Sequence, residues 1–265
     1  MALHPVVPPG VPSNAERLIR SDAPARPRAL AVLDGVLAGR AWVDDPVAPA
    51  ALMVLEDADG TVWAGGRLTR AQVQAALDGV VTASGDLIFG FADGDDPLRE
   101  LVPAEPYWRG AAIDFTDRVA SADEVAQLGA ALPDGAELVQ LDRSTLPLTE
   151  WYPDTLHAFG SIERWEQHGI GYAVMVNGAV AAESVAGPRT RSLLEMGVTT
   201  REPHRRRGFG TLVSLAVARA CEQRGDRVWW NANAANVPSL AIARRIGFSR
   251  ERRYELVACH APLAG

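Results

Sequence analysis

The stretch Val198-Thr-Thr-Arg-Glu-Pro-His-Arg205-Arg-Arg-Gly208-Phe-Gly210-Thr211 decides the fold. It reads as a strand, an Arg- and Gly-rich turn, then a helix. The first amides of a helix have no internal acceptors and carry partial positive charge. Gly208 and Gly210 let the backbone approach a ligand closely. Three adjacent arginines stand beside that helix start. The combination suits a phosphate or pyrophosphate. It is not a Walker loop, because the closing Lys-Ser/Thr is absent. Nor is it a dinucleotide fingerprint, since Leu212 and Val213 fill the region of the third glycine.

Outward from this stretch, the flanking segments have clear periods. Phe209–Arg224 is the strongest helix, with Val213, Ala216, Val217 and Ala220 at i, i+3, i+4 and i+7, and Gly225 as a stop. Leu193–Thr200 and Arg227–Asn231 read as strands, Pro238–Ile246 as a short helix and Ser249–Cys259 as a last strand. Upstream, Gly171–Val176 and Ala179–Val185 flank Asn177-Gly178, a hairpin signal. Helices are expected at about Thr149–Phe159 and Ile162–His168, and a strand at Ala136–Leu141. Pro133-Asp134-Gly135 breaks the chain and marks an expected domain boundary, giving domains 1–134 and 135–265.

The first domain carries weaker signals. Val6 to Pro12 holds three prolines and is expected as a loose tail. Helical patches are expected at Asn14–Arg20 and Ala29–Ala38. Ala51–Leu55, Asp59-Gly60 and Thr61–Trp63 form a hairpin pattern. Thr69 caps a helix through Leu77, and Asp86–Phe91 and Gly110–Phe115 are strands. Asp93–Asp96 lacks the spaced ligands of a calcium loop and reads as a solvated turn. Ser121 to Glu124 is a capping-box pattern opening a helix to about Leu132.

Composition bounds the function. The 265 residues are 48% hydrophobic and 22% charged, the balance of a folded globular chain. All 26 basic residues are arginine, so no lysine Schiff base or phosphate-loop lysine is available. The net charge of −7 is uneven. Residues 1–200 carry 14 arginines against 28 acidic residues, a net −14, and residues 201–265 carry 12 against 5, a net +7. The basic quarter suggests a local anion site on a chain too acidic for a nucleic-acid partner. Cys221 and Cys259 match neither a disulfide framework nor a metal knuckle. Cys221 falls on the apolar helix face, and Cys259 is incidental. No signal peptide and no membrane-length apolar run is seen, so a cytoplasmic protein is expected.

Arg205-Arg206-Arg207-Gly208-Phe209-Gly210 resembles the acetyl-CoA loop of the GCN5-related N-acetyltransferase (GNAT) superfamily, Q/R-x-x-G-x-G/A. The strand before it, Trp229-Trp230-Asn231 after it, and Asn236 to Ser239 through Gly247-Phe248 match in the expected order. The resemblance covers roughly Ala136–Cys259 and is similar to a bacterial subgroup with an extra N-terminal region. It implies an α/β fold: a GNAT-type acyltransferase domain with a splayed mixed sheet, plus a smaller N-terminal α/β domain of unknown role, with shaping of the acceptor site and a homodimer contact as the open alternatives. It implies that main-chain groups of Val198 and Thr200 pair with the pantetheine arm. Amides from Arg206 to Thr211 would hold the pyrophosphate, Arg205 would flank it, and Asn236 and Ser239 would contact the arm further along.

The expected activity is transfer of acetyl from acetyl-CoA, without a metal, to a primary amine on a small molecule or a protein. The amine must lose a proton, the oxyanion needs a donor and the thiolate needs a proton. Glu195 is the candidate base, with Glu183 second, and a backbone N–H near Val198 is the oxyanion donor. The family's acid is a Tyr four residues before the glycine of G-F, and here that position is Ala243. Tyr254 and Tyr172 are the substitutes, and the sequence does not choose between them. Trp229 and Trp230 alternate across a strand, one core and the other lining the cleft or also core. Trp151, Tyr152 and Trp165 either cover the acceptor or simply pack. The rival reading is an acyl-CoA-binding module without chemistry.

Overall fold

A computed structural model describes residues 2–92, 96–119 and 123–260. Residues 93–95 of the expected solvated turn and Ser121 of the capping pattern lie outside that range. In chain order the elements are β1 (His4–Val6), α1 (Arg26–Leu33), β2 (Gly39–Val43), β3 (Ala51–Glu56), β4 (Thr61–Gly66), α2 (Arg70–Leu77), β5 (Asp86–Ala92) and β6 (Trp108–Arg118). They continue as α3 (Glu124–Ala130), β7 (Ala136–Gln140), α4 (Tyr152–Phe159), α5 (Ile162–His168), β8 (Ile170–Val176), β9 (Ala179–Ala186) and β10 (Leu193–Thr200). The last are α6 (Phe209–Gln223), β11 (Arg227–Asn233), α7 (Val237–Arg245) and β12 (Phe248–His260).

The chain forms two compact units, one reaching Ala112 and taking in the chain again from Arg253, the other Ile113–Arg252. In the first unit the strands lie in the order β1-β2-β3-β4-β5-β12. The β3–β4 hairpin turns at Asp59-Gly60, where Gly60 has φ +79°. A side chain there would be strained, so the Asp-Gly signal is physical. Tyr254–His260 of β12 pairs antiparallel with Asp86–Ala92 of β5, which draws the C-terminal strand into this unit. Its core gathers Met53, Leu55, Phe89, Phe91, Leu77 and Cys259. Thr69 caps α2 as expected: its side chain accepts from Gln72 N–H, and the Gln72 side chain accepts from Thr69 N–H.

Two expectations for this unit fail. Val6 is not tail but the end of β1, paired with Ala41 in β2, and Pro5 stands inside the same strand opposite Trp42. Three residues suffice because β2 supplies the partner, which no local signal announces. The patch expected at Ala29–Ala38 is helical only from Arg26 to Leu33, and Gly39–Val43 becomes a strand.

In the second unit the order is β6-β11-β10-β9-β8-β7. The β8–β9 hairpin turns at Asn177-Gly178, both with positive φ, 49° and 80°. Helix α6 packs on the sheet through Leu215, Val217, Ala218 and Cys221 against Leu194, Met196 and Trp230. Trp230 is buried and edge-on to Phe248 at 6.1 Å. Truncating such a side chain costs about 3–5 kcal/mol. Helix α3 starts at Glu124 with Asp123 as its N-cap residue and no side-chain cap. Among the described residues no helix is long and apolar enough to cross a membrane, and no three or more His, Cys, Asp or Glu side chains group to hold a metal ion.

Candidate functional site

Strand β10 changes partner along its length. It runs antiparallel to β9 from Met196 to Thr200, opposite Ala186 to Ala182. Its parallel ladder with β11 joins Leu193–Met196 to Arg227–Trp230 and stops there, although β10 continues to Thr200 and β11 to Asn233. Glu195 C=O accepts from Gly187 N–H, and Arg201 N–H donates to Ala181 C=O. By strand alternation the backbone groups of Val198 and Thr200 therefore aim the other way, into the opening beside β11. Thr200 C=O accepts there from Arg205 Nε at 3.2 Å. An opening lined by main-chain donors and acceptors can take an extended ligand as an added strand.

The turn after β10 presents the next group. Glu202–His204 forms a short 3-10 turn, with Arg205 N–H donating to Glu202 C=O. Arg206 (φ 61°) and Gly208 (φ 83°) both take left-handed backbone conformations, and Gly208 is the N-cap of α6. The first intrahelical bond runs from Leu212 N–H to Gly208 C=O, and no side chain caps the turn before it. The amides of Phe209, Gly210 and Thr211 thus face outward as donors, beside the exposed side chains of Arg205, Arg206 and Arg207. The two glycines serve different needs. A Cβ on Gly208 would meet nothing within 4 Å, so its φ alone requires glycine. A Cβ on Gly210 would lie 2.9 Å from Thr200 Oγ1 and 3.2 Å from Ile242 Cδ1, so α6 can approach β10 and α7 only because it is absent.

Asn236 and Ser239 sit at the start of α7. Asn236 Oδ1 accepts from Ser239 N–H at 3.2 Å, and Ser239 Oγ accepts from Trp230 Nε1 at 3.1 Å. Both side chains thus hold the helix start and a core indole. His204 stands beside Phe209, ring centroids 6.2 Å apart, with its Nδ1 buried. Ala243 is buried in the core. Cys221 is buried as well, and burial pushes its thiol up to about 12, which makes it inert as a nucleophile.

The carboxylates lie on the sheet face away from α6. Leu194 and Met196 join the α6 core, so Glu195 and Gly197 face the opposite side. Glu195 stands opposite Trp229 in the ladder, and its Oε2 is buried. Glu183 stands opposite Thr199 on that same face. It is buried, and its two oxygens accept from Glu150 N–H and Trp151 N–H, each at 2.9 Å. Burial still pushes its carboxyl above the usual range. Tyr254 belongs to the first unit, where it is buried opposite Ala92. Tyr172 lies in β8, and its hydroxyl donates to Gln140 Oε1 at 3.3 Å.

Two features escaped the sequence reading. Asp114, in β6, is buried and accepts from Asn231 Nδ2 at 2.6 Å. Their separation of 117 residues hides the pair from any local pattern. The Trp151 ring lies against Gly197. An isolated glycine inside an apolar strand is the signal that something approaches its backbone, although it does not say what.

Comparison with known proteins gives a consistent picture. The profile of the GNAT acetyltransferase family matches residues 22–257. An uncharacterized N-acetyltransferase of Bacillus subtilis, YdfB, is 23% identical over 127 residues, so the match spans 47% of this chain and 49% of that protein. A GCN5-related N-acetyltransferase-like protein from Streptococcus suis shares the fold with a TM-score of 0.69 at 19% identity, over 92% of this chain and 97% of that one. A tandem GNAT protein from the clavulanic acid biosynthesis pathway superposes with a TM-score of 0.62 at 14% identity, over 98% of both chains.

Proposed function

Since the chain belongs to the GNAT acetyltransferase family, we propose that it moves an acetyl group from acetyl-CoA to a primary amine, within the expected domain 135–265. The observation that carries this reading is the uncapped start of α6 beside the opening between β10 and β11. The residues there fit the ligand. Outward amides from Phe209 to Thr211, with Arg205, Arg206 and Arg207, suit a pyrophosphate. Val198 and Thr200 offer strand-like main-chain groups for an amide-bearing arm, and Asn236 and Ser239 stand at the neighbouring helix start. The net +7 of residues 201–265 suits a ligand with several phosphate charges.

When bound, acetyl-CoA supplies an activated acyl carbon. Glu195 accepts the proton that an ammonium acceptor must lose before it can attack. Val198 N–H, aimed into the opening, is the donor placed to stabilise charge on the carbonyl oxygen. Glu183 is a poorer base, because both its oxygens already accept backbone N–H groups. Tyr254 lies in the other unit and is assigned no step.

A second reading, an acyl-CoA-binding module without chemistry, draws support from Ala243, which puts a core methyl where the resemblance would place a tyrosine acid. Calorimetry with acetyl-CoA, followed by CoA release against a panel of amines for the wild type and Glu195→Gln, separates the two. Binding with no CoA release from any amine favours the module. Turnover that survives Glu195→Gln removes Glu195 as the base.

A further inference from the structure

The buried carboxylate of Glu183 is spent on a segment 32 and 33 residues before it. Trp151 is the N-cap residue of α4, whose first bond runs from Thr155 N–H to Trp151 C=O, and no side chain of its own caps that start. Glu183 provides an acceptor there from β9, on the same sheet face, fixing the Glu150 and Trp151 amides at 2.9 Å each. A carboxylate bonded to two amides at a helix start is favoured by both the hydrogen bonds and the helix dipole. The indole of Trp151 then falls on Gly197: a Cβ there would lie 2.9 Å from its Cζ3 and 3.0 Å from its Cη2. Ser184 Oγ donates to Gly197 C=O at 2.7 Å, which holds the glycine from the strand side. Gly197 directly follows Met196, where the β10–β11 ladder ends. The indole, half-buried, therefore borders the opening at its narrow end.

We propose that Glu183 is a positioning residue, whose carboxylate seats the indole of Trp151 on Gly197 to form one wall of the opening where the acetyl group is carried. The wall half of this rests on the acetyl-CoA reading; the seating half does not. It assigns Glu183 a role other than proton transfer. It also accounts for a glycine inside a strand, since any side chain at 197 would collide with the ring.

The test uses full-length protein labelled with 5-fluorotryptophan, with the Trp151 fluorine resonance identified by its loss in Trp151→Phe. In the ligand-free protein, Glu183→Ala and, independently, Gly197→Ala should move that resonance to the position of a solvent-exposed indole. Glu183→Gln, which keeps one acceptor oxygen and the side-chain volume, should move it part of the way. Acetyl-CoA should shift the Trp151 resonance in the wild type and leave it unmoved in Glu183→Ala. A Trp151 resonance at its wild-type position in both alanine variants overturns the seating. Calorimetric binding of acetyl-CoA to the wild type without any shift of that resonance overturns the wall. Absence of acetyl-CoA binding to the wild type overturns the acetyl-transfer reading and the wall with it, and the ligand-free spectra still decide the seating.

Discussion

Strands β1 to β5 and strands β7 to β11 run through one and the same ladder: three antiparallel steps, then one parallel step. In each unit a helix makes the parallel crossover, α2 in the first and α6 in the second. The two differ at the start of that helix. Between β4 and α2 stand only Arg67, Leu68 and Thr69, and the Thr69–Gln72 capping box absorbs the helix amides. Between β10 and α6 stand eight residues, Arg201 to Gly208, with four arginines and no side-chain cap. The parallel strands also separate in both units, since β4 and β5 pair only at Thr61–Ile88 and Val62–Phe89. In the first unit the chain fills that gap itself. Trp63 Nε1 donates to Pro24 C=O at 2.7 Å, Pro24 packs on Gly90, and a cavity of about 20 Å³ is left, room for about one water. The two ladders thus differ at the helix start, closed by a capping box in the first unit and left without a side-chain cap in the second.

The comparison breaks most visibly on stoichiometry. We expect one acetyl-CoA per chain by calorimetry, and Gly208→Asp to weaken it by about 1000-fold, since a carboxylate would replace room for charge-assisted hydrogen bonds. Two molecules bound per chain, or unchanged affinity in Gly208→Asp, contradicts the contrast between the helix starts.

The next effect belongs to the first unit. Arg28 makes a bidentate ion pair with buried Glu56, and Arg28→Ala at pH 8 should cost about 3 kcal/mol in urea denaturation by stranding that carboxylate. Acetyl-CoA affinity should stay at the wild-type value.

A pH dependence follows from the same pair. Burial pushes the Glu56 carboxyl up to about 7, against the pull of Arg28. Unfolded, it releases its proton near the ordinary glutamate value, so between that value and about 7 the folded chain binds more protons. Stability from this group is therefore lost as pH rises, by about 2 kcal/mol between pH 5 and 7.5. Glu56→Gln should flatten that slope. A wild-type slope that Glu56→Gln leaves intact assigns the dependence to another group.

The smallest effect sharpens the capping contrast. Thr69→Ala should cost about 1 kcal/mol and leave acetyl-CoA binding unaltered. Newly gained affinity at α2 would show that the cap alone had closed the first unit.

What was legible from the sequence is what neighbours along the chain decide. Asn177-Gly178 and Asp59-Gly60 announce hairpins because their φ requirements are local. The Arg205–Thr211 loop is legible because its glycine conformation and its orphan amides belong to consecutive residues. What was not legible depends on partners far away in sequence. β1 exists because β2 pairs with it, and Val6 was read as tail for want of that partner. Glu183 is the second candidate base by sequence, and only the fold shows its oxygens on the Glu150 and Trp151 amides. Asn236 and Ser239 were expected at the ligand, and the packed structure gives them a helix cap and the Trp230 indole as partners as well.

The sequence by itself determined the family likeness, the arginine- and glycine-rich turn before a helix and the type of most elements, because backbone conformation, amphipathic period and helix-start chemistry are written within a few residues. Tertiary structure alone decided that Tyr254 belongs to the first unit, that Trp151 rests on Gly197 and that Trp63 and Pro24 meet beside Gly90. Burial and cross-strand register set those outcomes, and both depend on which distant segments the folded chain brings into contact.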